Sequence, residues 1–358
     1  MLSSALRESF LSLIRQGIGH SSDALVQTYD WKTIEALSAE HGLSAIMVDG
    51  VELLPESKRP PKELLLQWIG ETLQSYEYRY NAYQKTISEM ASFYNQHGYK
   101  MMVLKGYGCS LDWPKPNHRP CGDIDIWLFG KQKEADAVLA KEKGISIDES
   151  HHHHTVFNWQ EFTVENHYDF INVHHHKSNA KFEGLLKELG QDDSHYVEVN
   201  GEKVYLPSAN LNALYLQKHI MMHFAAEGVT LRQLLDWAFF VERHSKEIDW
   251  DWLEGVLEEY GMKKLYDVFN AICFGDLGFD VNLFNRVQFD PSIKDKVVNE
   301  ILSPEYSIEP PSALFKRIVF KFRRWKGNAW KHRLCYKESM WSAFWSGVWN
   351  HLMKPSSI

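Results

Sequence analysis

The sequence predicts an α/β (α+β) fold, with a mixed-sheet core over residues 99–206 between helical regions at 1–98 and 207–358. Three observations carry this. Apolar residues recur at three- and four-residue spacing up to about His97, short β-type runs follow from Lys100 to Val204, and helical spacing returns after Ser208. A chain of 358 residues is long enough for two or three packed units around a sizeable core.

In the first region Leu6, Phe10, Leu11 and Ile14, then Leu66, Ile69, Leu73, Tyr76 and Tyr80, mark helix faces. Pro60-Pro61 opens a long helix, because proline is tolerated in a first turn, and His97-Gly98 closes it, because glycine reaches the left-handed cap. Strands are expected at Lys100–Leu104, Asp123–Leu128 and Tyr168–His174, with helical stretches between the early ones. Val199–Val204, with Asn200-Gly201 at its centre, reads as a hairpin closing the segment. Ser208 is the expected N-cap of a helix over Leu211–Phe224, followed by helices at Leu231–Arg243, Trp252–Tyr260 and Ala313–Trp325.

A net charge of −8 argues against a surface that wraps nucleic acid throughout, while leaving room for a local basic patch. The four cysteines, Cys109, Cys121, Cys273 and Cys335, form no CxxC pair, so neither a disulfide framework nor a cysteine zinc knuckle is supported. The N-terminus becomes charged within its first turns and no apolar run reaches the roughly 18 to 20 residues of a bilayer span. A cytoplasmic protein is expected.

The most informative tripeptide is Asp123-Ile124-Asp125. Side chains two apart on a strand share a face, so the carboxylates converge while Ile124 and Ile126 turn to the core. Convergent carboxylates suit a hard divalent cation, Mg²⁺ or Mn²⁺, of the kind that nucleotidyl or phosphoryl transfer requires. Taken alone, the pair is also consistent with a solvated strand end.

Its context is more specific. Val103-Leu104-Lys105-Gly106-Tyr107-Gly108 runs a strand into a glycine turn, and Arg119-Pro120-Cys121-Gly122 directly precedes the aspartates. With these residues the chain resembles the nucleotidyltransferase superfamily, in particular a bacterial branch with a Lys-Gly, spacer, Arg-x-x-Gly-Asp-x-Asp pattern. The resemblance implies a nucleotidyltransferase-type mixed sheet, Asp123 and Asp125 as metal ligands, and Lys105, Gly106, Tyr107, Arg119 and Gly122 around the triphosphate. Arginine suits phosphate through its fork of donors. The family's later strand carries an acidic residue two before a histidine, and the segment matched to it is Asn172-Val173-His174. In that match the third carboxylate becomes Asn172, an amide that is no general base, and His174 is the candidate catalytic histidine. Leu216-Gln217-Lys218-His219, His223 and Leu231–Trp237 also resemble the family, implying a helical wall for the nucleotide cleft. On that wall Arg232 and Asp236, at i and i+4, either pair or face the substrate.

His151–His154 and His174–His176 invite a zinc reading, against which stands a polar loop with one inward ring. His219 and His223 have i, i+4 spacing but lack the glutamate of HExxH. From Phe315 to Lys337 nine basic residues occur without an acidic one. At helical spacing they form a basic amphipathic helix, suited to an anionic membrane surface or a nucleic-acid backbone, or packed on the protein's own core with its basic face in water. Trp341, Phe344, Trp345, Val348 and Trp349 continue as an apolar stripe.

The resemblance implies a Mg²⁺-dependent enzyme that moves a nucleoside monophosphate from an NTP to an acceptor hydroxyl or phosphate and releases pyrophosphate. The Asn172 match motivates an alternative, a catalytically weak nucleotide-binding sensor, and the histidines a third, a zinc hydrolase.

Overall fold

A computed structural model describes residues 2–21, 30–174, 176–306 and 314–342. The chain opens with α1 (Ser4–Gly17), α2 (Trp31–Glu40) and α3 (Ser44–Glu52). The Ser3 hydroxyl caps α1 by accepting from the Leu6 amide at 3.2 Å. Helices α1 and α3 cross at two glycines, where a Cβ on Gly17 would stand 2.2 Å from the Ile46 carbonyl oxygen and one on Gly50 2.3 Å from that of Leu13. The long helix expected after Pro60-Pro61 is α4 (Lys62–Glu71), a π-helical stretch over Thr72–Tyr78, and α5 (Arg79–Gln96), ending at His97-Gly98 with Gly98 at φ 76°.

The sheet then forms, as β1 (Met102–Val103), the short helix α6 (Tyr107–Ser110), β2 (Ile124–Trp127), α7 (Gln132–Lys143), β3 (His154–Trp159), β4 (Phe162–His167), α8 (Lys177–Leu189), β5 (Tyr196–Val199) and β6 (Glu202–Tyr205). Its six strands run in the order β3-β4-β2-β1-β6-β5. The pairs β2/β4 and β1/β6 are parallel, and β1/β2, β3/β4 and β5/β6 are antiparallel, which makes the sheet mixed. Asn200 and Gly201 both take positive φ, as a type I′ hairpin turn between β5 and β6 requires.

One expected strand is absent. Residues 168–174 form a bend rather than a strand, because buried Glu183 of α8 accepts from the Phe170 and Ile171 amides at 2.9 and 3.0 Å and takes up the donors a ladder would need. The strand in that part of the chain is β4, one segment earlier, closing a hairpin on β3 through Gln160 at φ 54°.

After Ser208 come α9 (Ala209–Ala226), α10 (Leu231–His244), α11 (Trp250–Glu259), α12 (Lys263–Gly275), α13 (Pro291–Leu302), α14 (Leu314–Gly327) and α15 (Ala329–Cys335). Ser208 caps α9 by position, through its carbonyl to the Asn212 amide, and not through its hydroxyl. At the start of helix α10 the Gln233 side chain reaches back and accepts from the Thr230 amide at 2.9 Å.

Two apolar cores lie on opposite faces of the sheet. Ile124, Ile126, Val103, Val164 and Val204 meet Tyr83, Ile87 and Met90 of α5, together with Leu139 of α7. On the other face Met102, Leu104, Trp127 and Tyr205 join Phe182 of α8 and a continuous core shared by α1–α3 and the helices after Ser208. Alternation along β2 therefore puts Ile124 and Ile126 in one core and turns Asp125 and Trp127 to the other side, where α9 and α10 close over them. Burial of apolar side chains such as Ile220 of α9 and Leu235 of α10, each stabilising by roughly 1.5–3 kcal/mol, fixes these helices over the site.

The basic segment divides in two. Lys316, Arg317, Lys321, Phe322 and Arg323 of α14 are exposed, whereas α15 packs inward, with Lys331 buried and paired to Glu300 at 2.5 Å. Trp341 is exposed and its ring lies 5.0 Å from that of Trp325. Phe344, Trp345, Val348 and Trp349 lie outside the described residues, as does His175. No helix among the described residues is long and apolar enough to cross a membrane.

Candidate active site

A cleft of about 610 Å³ opens between the amino end of β2, the β3–β4 hairpin and helices α9 and α10. Its floor is built by strand register. Asp125 stands directly opposite Glu165 on parallel β4, and Trp127 opposite His167. Asp125, Glu165 and His167 bring ligand atoms within 4.8 Å of one another. Asp123, exposed at the mouth, completes the carboxylate set on the same face.

Charge in the floor is balanced locally. The Lys105 ammonium sits 2.7 Å from Asp125 Oδ1, and His167 Nε2 lies 3.0 Å from the same oxygen and 3.6 Å from Glu165 Oε2. Burial pushes the Asp125 carboxyl up, but Lys105 and His167 outweigh it and hold the group well below the usual carboxylate range. The neighbouring His167 ring likewise lowers Glu165. His167 is pushed down by burial and carried above its ordinary value by Asp125 and Glu165. Asp123 is raised, by partial burial and by repulsion from Glu165 and Asp125.

The loop entering the site depends on Gly106. At φ 51° it turns the chain from β1 into α6, and a Cβ there would meet Tyr83 Oη at 2.4 Å. That hydroxyl donates to the Asp123 carbonyl at 2.8 Å, which ties α5, the glycine turn and the first aspartate together. Gly122 lines the cleft, with nothing within 4 Å of a Cβ built on it.

Three residues expected at the triphosphate or in catalysis stand elsewhere. The Tyr107 ring stacks on Tyr80 in the core behind the sheet and its hydroxyl accepts from Gln84 Nε2 at 3.0 Å, so its side chain does not line the cleft. Asn172 and His174 lie in the bend after β4, where the Asn172 side chain accepts from the His174 amide at 2.9 Å and His174 is exposed. A segment of the same spacing as Asn172-Val173-His174, an acidic residue two before a histidine, stands in the cleft on β4 as Glu165-Asn166-His167, opposite Asp125 and Trp127. The signal was present as the alternation Phe162-Thr163-Val164-Glu165 with Glu165-x-His167 at its end.

Arg119 lines the cleft but spends its fork internally. Its Nε and Nη2 donate to the two carboxylate oxygens of Asp236 at 2.7 and 2.9 Å, and Trp113 Nε1 donates to the same carboxylate at 2.9 Å. Asp236 therefore pairs with Arg119 and not with Arg232. The loop carrying Arg119 is braced from the N-terminal helices, where His118 bridges Asp49 of α3 at 2.7 Å and Glu77 at 3.1 Å. Arg232 is left facing the cleft with no ion-pair partner among the described residues, its buried Nε without a hydrogen bond. Burial, then Arg119, lowers its pKa from the ordinary value.

The histidines contribute more than spacing suggested. His219 and His223 of α9 face the cleft, with His219 Nε2 3.1 Å from Lys105 Nζ and 3.2 Å from His223 Nε2. Desolvation lowers both rings, so His219 accepts from the lysine. From the first histidine cluster, His153 and His154 line the cleft beside His167. Burial pushes His153 down to about 2 and His154 to about 4.

A comparison with curated proteins yields no match. Among solved structures, an antigenic nucleotidyltransferase-like protein from Paracoccidioides brasiliensis is similar, with 14% identity, a TM-score of 0.33, and coverage of 45% of this chain and 75% of that one. The model of a family described as uncharacterised nucleotidyltransferase matches residues 27–273, which takes in the whole sheet, the cleft and helices α9 and α10. The chain belongs to that nucleotidyltransferase family.

Proposed function

We propose that this protein transfers a nucleoside monophosphate from an NTP to an acceptor hydroxyl or phosphate, with release of pyrophosphate, in the cleft between β2, β4, α9 and α10. The observation that carries the proposal is the register of Asp125 with Glu165, with Asp123 two residues away on the same face. Three carboxylates on one face are a donor set for a hard cation, and the residues present fit Mg²⁺ or Mn²⁺. Asp123, Asp125 and Glu165 would hold it, and when bound it supplies charge neutralisation at the phosphates and the leaving group.

The chain's own groups have separable roles. Gly106 sets the positive-φ turn whose backbone would approach the phosphates, and Gly122 leaves the cleft mouth open. Arg232, unpaired and turned into the cleft, supplies the cation for phosphate that Arg119 does not. Arg119 instead locks the loop before the aspartates to α10 through Asp236. Lys105 keeps Asp125 ionised, and Glu165 accepts the proton of the acceptor hydroxyl or shares the cation. The sensor alternative drew on Asn172, and the placing of Glu165 opposite Asp125 supports the enzyme reading over it. The exposed basic face of α14 offers a surface for a polyanionic acceptor, nucleic acid or anionic membrane.

The test is isothermal titration of ATP, GTP, CTP and UTP with Mg²⁺ into wild type and the Asp123→Ala/Asp125→Ala double variant, followed by a pyrophosphate-release assay. Cation-dependent binding lost in the variant, with pyrophosphate released by wild type, supports the proposal. A folded wild type that binds no nucleotide rejects it.

A further inference from the structure

His153, His154 and His167 form a cluster that the transfer reaction does not need. Their rings are mutual neighbours, with centroids 4.3 Å apart for His153 and His154, 5.7 Å for His153 and His167, and 5.2 Å for His154 and His167. One nitrogen from each lies within 4.8 Å of the other two. Nδ1 of His153 and Nδ1 of His154 are both buried without a hydrogen-bond partner, and a polar atom left unanswered in the interior is unusual enough to require a reason.

The local fold explains why consecutive residues converge. His154 is the first residue of β3 and pairs across the ladder with His167, so these two rings share a face. His153 precedes the strand, in a bend pinned by its carbonyl, which accepts from the Tyr168 and Asp169 amides at 3.1 and 3.0 Å. Outside the ladder it is released from strict alternation, and its ring turns into the cleft beside the other two.

We propose that His153, His154 and His167 constitute a transition-metal site that takes a Zn²⁺-class cation, separate in chemistry from the carboxylate set. Three imidazoles select borderline cations such as Zn²⁺, Co²⁺ or Ni²⁺, where Asp123, Asp125 and Glu165 favour hard ones. Because His167 Nε2 also lies 3.0 Å from Asp125 and 3.6 Å from Glu165, a cation on the histidines draws that ring away from the two carboxylates. Nothing in the histidine site depends on nucleotide transfer, so the two proposals fail separately.

The test titrates chelator-treated, full-length protein with Co²⁺, followed by visible absorption, and repeats the titration with Zn²⁺ by calorimetry and by displacement of Co²⁺. Wild type, His153→Ala, His153→Gln and Glu165→Gln are compared, with folding checked by circular dichroism. The expected result is one Co²⁺ bound with an intense tetrahedral-type spectrum and displaced by Zn²⁺. Loss of a ligand should weaken affinity by about tenfold or more in the His153 variants, while Glu165→Gln retains binding. His153→Gln keeps a polar side chain of similar reach and serves where His153→Ala does not fold. Wild-type affinity in a folded His153 variant, loss confined to Glu165→Gln, or no binding at millimolar Co²⁺ and Zn²⁺ overturns the site.

Discussion

Asp125 of β2 and Glu165 of β4 are register partners across a parallel ladder, and His167 donates to one and approaches the other. Strand pairing, rather than sequence proximity, thus brings a further carboxylate beside Asp125. Glu165→Gln is expected to lower turnover by about 100-fold or more, the usual loss when a positioned base or ligand is removed. Asn172→Asp should leave pyrophosphate release unchanged, because residue 172 lies outside the cleft. A gain of activity in Asn172→Asp with an indifferent Glu165→Gln would return the role to residue 172.

Arg119 and Asp236 are both buried and joined by two parallel hydrogen bonds. Removing one partner leaves an unpaired interior charge, so Asp236→Asn should destabilise the fold by about 3–5 kcal/mol, read as a shift of the denaturation midpoint at constant m-value. Replacing both residues by apolar ones should recover only part of that loss, because the buried Trp113 Nε1 then has no acceptor.

Arg232 gives the opposite signature. It faces the cleft with no ion-pair partner among the described residues, so Arg232→Gln should hold or raise stability while weakening NTP binding by about tenfold or more, the value of one or two charge-assisted hydrogen bonds. A variant that binds triphosphate as wild type does would show that phosphate is met elsewhere.

Much of the floor was legible in the sequence because it is local. Asp123-x-Asp125 on a strand fixes two carboxylates by the two-residue period alone, and Lys105-Gly106 announces a turn that only glycine fits. What was illegible depends on partners distant in the chain. Tyr168–Val173 carries as strong a β pattern as Phe162–His167, and the choice between them is made by Glu183, a helix residue whose carboxylate takes the Phe170 and Ile171 amides. The same holds for Arg119, whose phosphate-like ligand turned out to be Asp236, 117 residues away. Tyr107, adjacent to the essential glycine, went to the core because α6 turns its ring toward Tyr80.

Gly106→Ala tests the turn. The new methyl would meet Tyr83 Oη at 2.4 Å on a backbone at φ 51°, so about 2 kcal/mol or more of stability should be lost, from steric overlap and from backbone strain. Adding Tyr83→Phe removes the clashing oxygen and should restore part of the loss, leaving the backbone strain. Because Tyr83→Phe also removes the bond to the Asp123 carbonyl, the comparison is made on the Tyr83→Phe background, where an undiminished cost of Gly106→Ala would mean that φ alone sets the requirement.

Glu183 makes stability depend on pH in a definite direction. Burial raises its carboxyl to about 7 against the hydrogen bonds from the Phe170 and Ile171 amides, which lower it. An acid whose pKa is higher in the folded state binds its proton more tightly there. Between its ordinary value of 4.5 and about 7 the native chain carries more protons than the unfolded one, and stability falls as pH rises through that window. Its contribution is complete below the lower value and gone above the upper, an upper bound of about 3 kcal/mol at 1.36 kcal/mol per pKa unit. Glu183→Gln has no proton to lose, so the wild-type advantage over it in urea denaturation should shrink steadily from pH 5 to pH 8. An advantage constant over that range would show Glu183 to be ionised throughout, held by the two amides as a fixed carboxylate.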